Sequence, residues 1–484
     1  DNLVGTGGND TFDLAGFRFA GTIAGLLGSD SDTIIGSVAF DITGQNTGTA
    51  GTDQSTSFTN IENLSGTSAS DRFTLATGGG LSGTIDGLGG SDEIRGARRY
   101  VVSGSNAGAA TAPGESATAF SNVENRYGTA NDDRFLLSSG VIVNLFGLAG
   151  DDSFSVEGGS FECLDGGAGQ DESLAYSGTV TLDVTELPYI NIENVQASGE
   201  GSALLGASRY TVTSSNGVLT NVGDLEFFGF DTLIGTSGDD VFDLAGNTFS
   251  GLFDGLGQNG AGDEVIGSSS YEVTGNGSGS AGSARQTTLT NIENLSGTAG
   301  ADSFVLRSGS IGRLTGLGGD DVFAIFAGVF ASLDGGAGAA DTLNYANAVT
   351  LDVTTNPFAN VEFVNANAVG GDTLTGGSAY LFRTPTGVEA NGDTAIQYNC
   401  FESLVGTEGD DVFDLAGNVF TGTIDGLGED QGDTVRYGYA VDIDLAAADP
   451  LANIEVVDAG ADGATLRGAS RYTLSSSRAV QANN

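Results

Sequence analysis

The chain repeats itself, and the period of that repetition limits its fold more than any other property. One element reads Gly-Thr, three variable residues, then Asp-x-Phe-x-Leu. It stands at 5–14, 66–75, 128–137, 235–244, 297–306 and 406–415. Its phenylalanines are Phe12, Phe73, Phe135, Phe242, Phe304 and Phe413. Its aspartates are Asp10, Asp71, Asp133, Asp240, Asp302 and Asp411, and the first three are 61 and 62 residues apart. A second element, GTIDGLGGSDEI at 83–94, has relatives at 21–34, 312–323 and 422–435. A third is a tyrosine strand at 96–102, 206–212, 267–273 and 468–474. The fourth is Asn-Ile-Glu-Asn or a variant of it, beginning at Asn60, Asn122, Asn191 and Asn291. A unit of ~62 residues therefore carries four pieces, and roughly eight degenerate units fill the chain.

Each piece is short and alternates. Phe242 and Leu244 fall on one face of a strand, Val241 and Asp243 on the other. Glycine-rich turns separate the pieces, and no apolar period of 3.6 residues is sustained over a helical length. Sandwich domains need about 100 residues each. A shorter unit without separable linkers fits stacked coils. The expected fold is all-β: an elongated right-handed parallel β-solenoid, or β-helix, continuous over 1–484 with no separate globular domain. Each unit would hold two or three coils of about 18 to 31 residues, and strands stacked at ~4.8 Å would give a rod roughly 75–115 Å long.

Composition narrows the function. There are 63 acidic residues against 16 basic ones, for a net charge of −47, and the basic residues are all arginine. A chain with no lysine and no histidine cannot build a P-loop, a Schiff base, a Ser-His-Asp triad or a histidine-ligated zinc site. Nucleic acid and anionic membranes would repel it, so neither is expected as a partner, nor is membrane insertion. The 27 Phe and 12 Tyr set it apart from a disordered acidic chain. Strong self-repulsion predicts that salt and divalent ions stabilise the fold.

The Gly-Asp corners carry the remaining chemistry. GGAGQDES at 166–173, with Asp171, approaches a Gly-Gly-x-Gly-x-Asp nonapeptide, although Ser173 stands where that pattern has a large apolar residue. GLGGDDVF at 316–323 and GTSGDDVF at 235–242 keep its later Gly, its Asp and its apolar residue. On these motifs the chain resembles the repeats-in-toxin (RTX) proteins and, more broadly, very large bacterial surface adhesins. The resemblance implies calcium between turns, held by aspartates and backbone carbonyls, a chemistry that suits hard oxygen ligands. The residues it points to are Asp239 with Asp240, Asp320 with Asp321, Asp410 with Asp411, and Asp171. The copies here are single, whereas the family's run in tandem. The alternative is that each Asp bonds to backbone and fixes its turn. For Asn60, Asn122, Asn191 and Asn291 the expected role is a corner bond or a ladder between coils.

Every prominent acid belongs to a repeat, whereas a catalytic pair would break one. There is no Trp to stack on a sugar. The expectation is therefore a non-enzymatic structural rod of a secreted bacterial adhesin or extracellular filament, located outside the cell or on its surface. It would continue end to end with further copies, covalently or by head-to-tail stacking, and surface glycans are candidate ligands. The alternatives are a calcium-dependent RTX-like binding module and a polysaccharide-acting β-helix. Cys163 and Cys400 should not bond to each other, and Cys163 is expected to be buried as a small apolar residue.

Overall fold

The computed structural model describes all residues except 224, 258–259, 368, 429–431, 445–449, 461–462, 468–470, 475–479 and 484. The tyrosine strand at 468–474 thus lies partly outside the described residues. The chain forms two compact units, Asp1–Thr236 and Ser237–Asn484. In both, every regular element among the described residues is a strand of two to seven residues.

A coil of the first unit consists of two strands, one on each of two sheets. Asn63–Ser65 and Arg72–Leu75 make one coil, and Thr84–Asp86 and Glu93–Arg95 the next. Leu64 lies beside Ile85 and Arg72 beside Glu93, both in parallel register. Such a short coil advances 21 residues here and 19 where Arg134 meets Ser153. The 62-residue period is one short coil, one longer coil and about half a coil more. Successive copies of the Gly-Thr-Asp element therefore land on alternate sheets: Thr11–Asp13 and Arg134–Leu137 share one, Arg72–Leu75 belongs to the other.

The longer coils depart from a purely parallel solenoid. Ala39–Gly44, Thr47–Ala50 and Thr56–Thr59 form an antiparallel meander. Its outer strands rejoin the parallel stack, Thr56–Thr59 on Gly21–Ala24 and Ala39–Gly44 on Arg72–Leu75. The meander thus adds two levels to one sheet. The first unit repeats it at Arg99–Gly104, Ala107–Thr111 and Thr118–Ser121 and again from Arg209–Val212 to Glu226–Phe228. In the second unit it returns at Ser270–Gly275 and at Ala379–Phe382. The first hairpin turns on Asn46 and the second on Asn106, at φ 54° and 51°, a left-handed conformation that Asn tolerates.

The interior is filled by columns of aromatic rings at the coil spacing. Tyr100, Phe135 and Phe154 stack with centroids 5.1 and 4.7 Å apart. In the second unit Tyr271, Phe304 and Phe323 do the same at 5.2 and 4.8 Å, and Tyr380 stacks on Phe413 at 5.2 Å. Phe73 and Phe242 are also fully buried, while Phe12 is half-buried. Parallel stacking follows from register, because an inward ring in one coil has the next coil's ring directly above it. The tyrosine that heads each of these columns also bonds to a carbonyl: Tyr100 donates to Tyr127 O at 2.7 Å, Tyr271 to Ser296 O at 2.7 Å and Tyr380 to Val405 O at 2.7 Å.

Candidate functional site

The recurring acids meet at the corners that precede the strands. In the Gly-Thr corner, Asp71 folds back on its own turn: Thr67 N–H donates to Oδ2 at 2.6 Å and Thr67 Oγ1 to Oδ1 at 3.0 Å. Asp302 and Asp411 hold Thr298 and Thr407 in the same way. The backbone of Asp71 then reaches the next coil. Its N–H donates to Asp92 Oδ1 at 2.8 Å, and Asp92 N–H donates to Glu124 Oε2 at 2.9 Å. In the second unit the run is Asp302 to Asp321 to Asp341 to Glu362, with bonds of 2.7, 2.7 and 2.8 Å. Asp240 to Asp263 to Glu293 and Asp411 to Asp433 to Glu455 follow the same course. Each inner carboxylate thus accepts the backbone N–H of the coil before it.

The neighbouring outer acids work in the opposite direction. Asp239 accepts Ala261 N–H at 2.9 Å and Gly262 N–H at 3.1 Å, both from the following coil. Asp320 accepts Ala339 N–H and Ala340 N–H at 3.0 and 3.1 Å. The Asp320-Asp321 pair therefore ties its corner forward through Asp320 and back through Asp321. Asp410 is exposed, with its carboxylate against Gly432, and Asp171 accepts Asn194 Nδ2 at 2.6 Å. The three Asp-Asp pairs occupy three separate corners of the second unit, and Asp171 sits in the first. Among the described residues no three acids or cysteines converge on one point where they could share an ion.

Asparagine supplies the third inter-coil bond. Asn60, Asn122, Asn191 and Asn291 all sit at φ 53–54°. Asn122 donates to Asp86 Oδ1, Asn191 to Asp165 Oδ1 and Asn291 to Asp254 Oδ1, at 2.7–2.8 Å. Asn60 faces a coil with Ala24 where the others have Asp, and donates to Gly25 O at 3.3 Å. The acceptor aspartates were missed by sequence reasoning, as was the glutamate of the Asn-Ile-Glu-Asn strand. That glutamate terminates the runs at Glu62, Glu124 and Glu293. Its recurrence at a fixed offset from Asn was the available signal.

Glycine at these corners is a steric requirement. A Cβ on Gly87 would lie 1.9 Å from Asn122 O and 2.4 Å from Asp92 Oδ2, and one on Gly316 2.0 Å from Asp321 Oδ2. The crowding also shapes the electrostatics. Burial, only partly offset by the accepted N–H, pushes Asp92 up to about 6 and Asp152, Asp263 and Asp321 up to about 7. No protein-family model matches the chain, and no curated protein matches it. The corners therefore have to be interpreted from their own geometry, which is that of a fastening between coils.

Both cysteines are free thiols. Cys163 is exposed, against the expectation of burial, because Leu164 beside it takes the inward position of the strand Gly159–Asp165.

Proposed function

We propose that the chain is a structural rod of a secreted bacterial adhesin or extracellular filament, whose work is reach and stiffness outside the cell. The observation that carries this reading is where the repeated chemistry goes. The Asp, Asn, Glu and Tyr side chains of the repeat bond one coil to the next, so the sequence expends its most regular polar groups on axial cohesion. A contact made of such bonds can be extended by a further copy, whether it is joined covalently or stacked head to tail. Adhesive ends or a surface glycan ligand would belong to other parts of such an assembly. Calcium at Asp239, Asp240, Asp320, Asp321, Asp410, Asp411 and Asp171 belongs to the alternative reading, a calcium-dependent binding module.

The test is microscopy of the purified chain combined with melting in the presence and absence of a chelator. Rigid rods that lengthen with concentration, and a melting temperature indifferent to chelation, are the expected results. Compact particles at every concentration would refute the rod. A large loss of stability on chelation would favour the calcium-dependent binding module.

A further inference from the structure

The inner carboxylates contain a feature that their fastening role leaves unused. Asp92 and Asp152 are 0% and 1% exposed. In each, Oδ1 accepts a backbone N–H from the preceding coil, at 2.8 Å from Asp71 and 2.7 Å from Asp133. In each, Oδ2 is buried without a hydrogen-bond partner. A main-chain carbonyl oxygen of the following coil lines the same gap. At Gly87, Asp92 Oδ2 and Asn122 O both lie within 2.4 Å of the point a Cβ would occupy. At Gly147, Asp152 Oδ2 and Gly166 O both lie 2.1 Å from the corresponding point. A carboxylate oxygen and a carbonyl oxygen lining one dry gap repel unless a proton lies between them.

We propose that Asp92 and Asp152 are built into the fold as un-ionised carboxylic acids, each donating Oδ2–H to a main-chain carbonyl of the following coil, and that this makes the coil stack sensitive to alkali. Oδ1 then remains the acceptor for the preceding coil, so one side chain links three coils. The proton comes from solvent during folding and returns there on ionisation.

The surroundings favour the neutral form. The charged groups facing Asp92 are Asp71 from the coil before, Glu124 from the coil after and Asp86 from its own coil. Those facing Asp152 are Asp133, Asp132 and Asp151. Arg98 pairs with the neighbouring Asp133, at 3.8 Å, rather than with Asp152. Burial is the largest cause raising both groups, to about 6 for Asp92 and about 7 for Asp152. Both values lie above the ordinary 3.8, so the folded chain holds protons that the unfolded chain has released. The resulting stability is complete below 3.8 and is lost as pH rises through 6 and 7. Between about pH 5 and pH 8 the unfolding constant should rise about tenfold through Asp92 and about a hundredfold through Asp152.

The experiment compares the full chain with its Asp92→Asn, Asp152→Asn double variant, in chelator, across that pH range. An amide mimics the neutral acid, since Nδ2–H donates where Oδ2–H did and Oδ1 still accepts. The variant is expected to melt above the parent at pH 5, to melt above it by a wider margin near pH 8, and to lose the roughly thousandfold rise in unfolding constant that Asp92 and Asp152 contribute together, while the share of Asp263 and Asp321 remains. An unchanged pH dependence, or a variant less stable at every pH, overturns the proposal. Restoration of the parent at pH 8 by millimolar calcium would place a cation in the gap and also overturn it. Should the variant fail to fold, the parent labelled with 13C-aspartate provides the second readout. Its infrared spectrum should show un-ionised aspartic carboxyl near pH 6 that is gone by pH 8, and absence of that band near pH 6 overturns the proposal.

Discussion

Replacing Arg126 with leucine should stabilise the first unit. Arg126 occupies an inward position of Asn125–Tyr127, between Ile94 and Leu145 in register, and is fully buried. None of its three side-chain nitrogens has a hydrogen-bond partner. Its guanidinium lies 4.8 Å from the Phe120 ring centroid, a cation–π contact that offsets only part of the desolvation. Burial lowers its pKa to about 10, which corresponds to a penalty of about 3 kcal/mol for holding the charge there. Leucine is smaller, and imperfect filling costs about 1 kcal/mol. The net gain is about 2 kcal/mol, or roughly 5 °C in a unit of this size. Other copies of the repeat have leucine at the same place, Leu64 and Leu295, both buried. Because solenoids need not melt in one step, the assay pairs calorimetry with hydrogen exchange at the amides of 125–127. The reverse change, Leu295→Arg, should destabilise the second unit by about 3 kcal/mol or more. If Arg126→Leu melts at or below the parent while Leu295→Arg is tolerated, the unpaired guanidinium is not the cost argued here.

The other expectations concern the corners. Gly87→Ala should destabilise by about 2–3 kcal/mol, because backbone oxygen and carboxylate would stand 1.9 and 2.4 Å from the new carbon. Gly89→Ala, with nothing within 4 Å, should be near neutral, and equal effects in denaturant titration would defeat the steric account. Asn122→Gly keeps the left-handed backbone but deletes the bond to Asp86, so it should cost about 1 kcal/mol, and Asn122→Ala more. The reverse order of the two variants would mean that backbone strain is unimportant there. Tyr100→Phe preserves the ring stack and removes the bonds to Ile94 O and Tyr127 O, for a loss of about 1–2 kcal/mol by thermal melting. An unchanged melting temperature would show that those carbonyls are satisfied without the hydroxyl.

Strand class and the stacking of coils were legible in the residues themselves, because both depend on local pattern. Alternation in segments such as Val241-Phe242-Asp243-Leu244 sets which side chains turn inward, and the spacing of glycine corners sets where the chain bends. The aromatic columns follow once coils are stacked. What the residues could not reveal is which coil lies above which. The antiparallel meanders decide that, and they turn on short segments such as Gly44-Gln45-Asn46, which bring Thr22 into register with Ser57, 35 residues further along the chain. Register in turn selects the partners of every acid. Asp71 and Asp92 are 21 residues apart and Asp92 and Glu124 are 32 apart, so no single spacing in the sequence identifies the run they form. The same dependence explains why Asp239, Asp320 and Asp321, which resemble metal ligands from their neighbours in sequence, accept backbone N–H groups from adjacent coils. It also explains why Arg126, an ordinary polar residue in the sequence, lies unpaired between Ile94 and Leu145. A side chain's direction is a local property of its strand, whereas its partner is set by the coil stacked against it, and only the tertiary structure determines that coil.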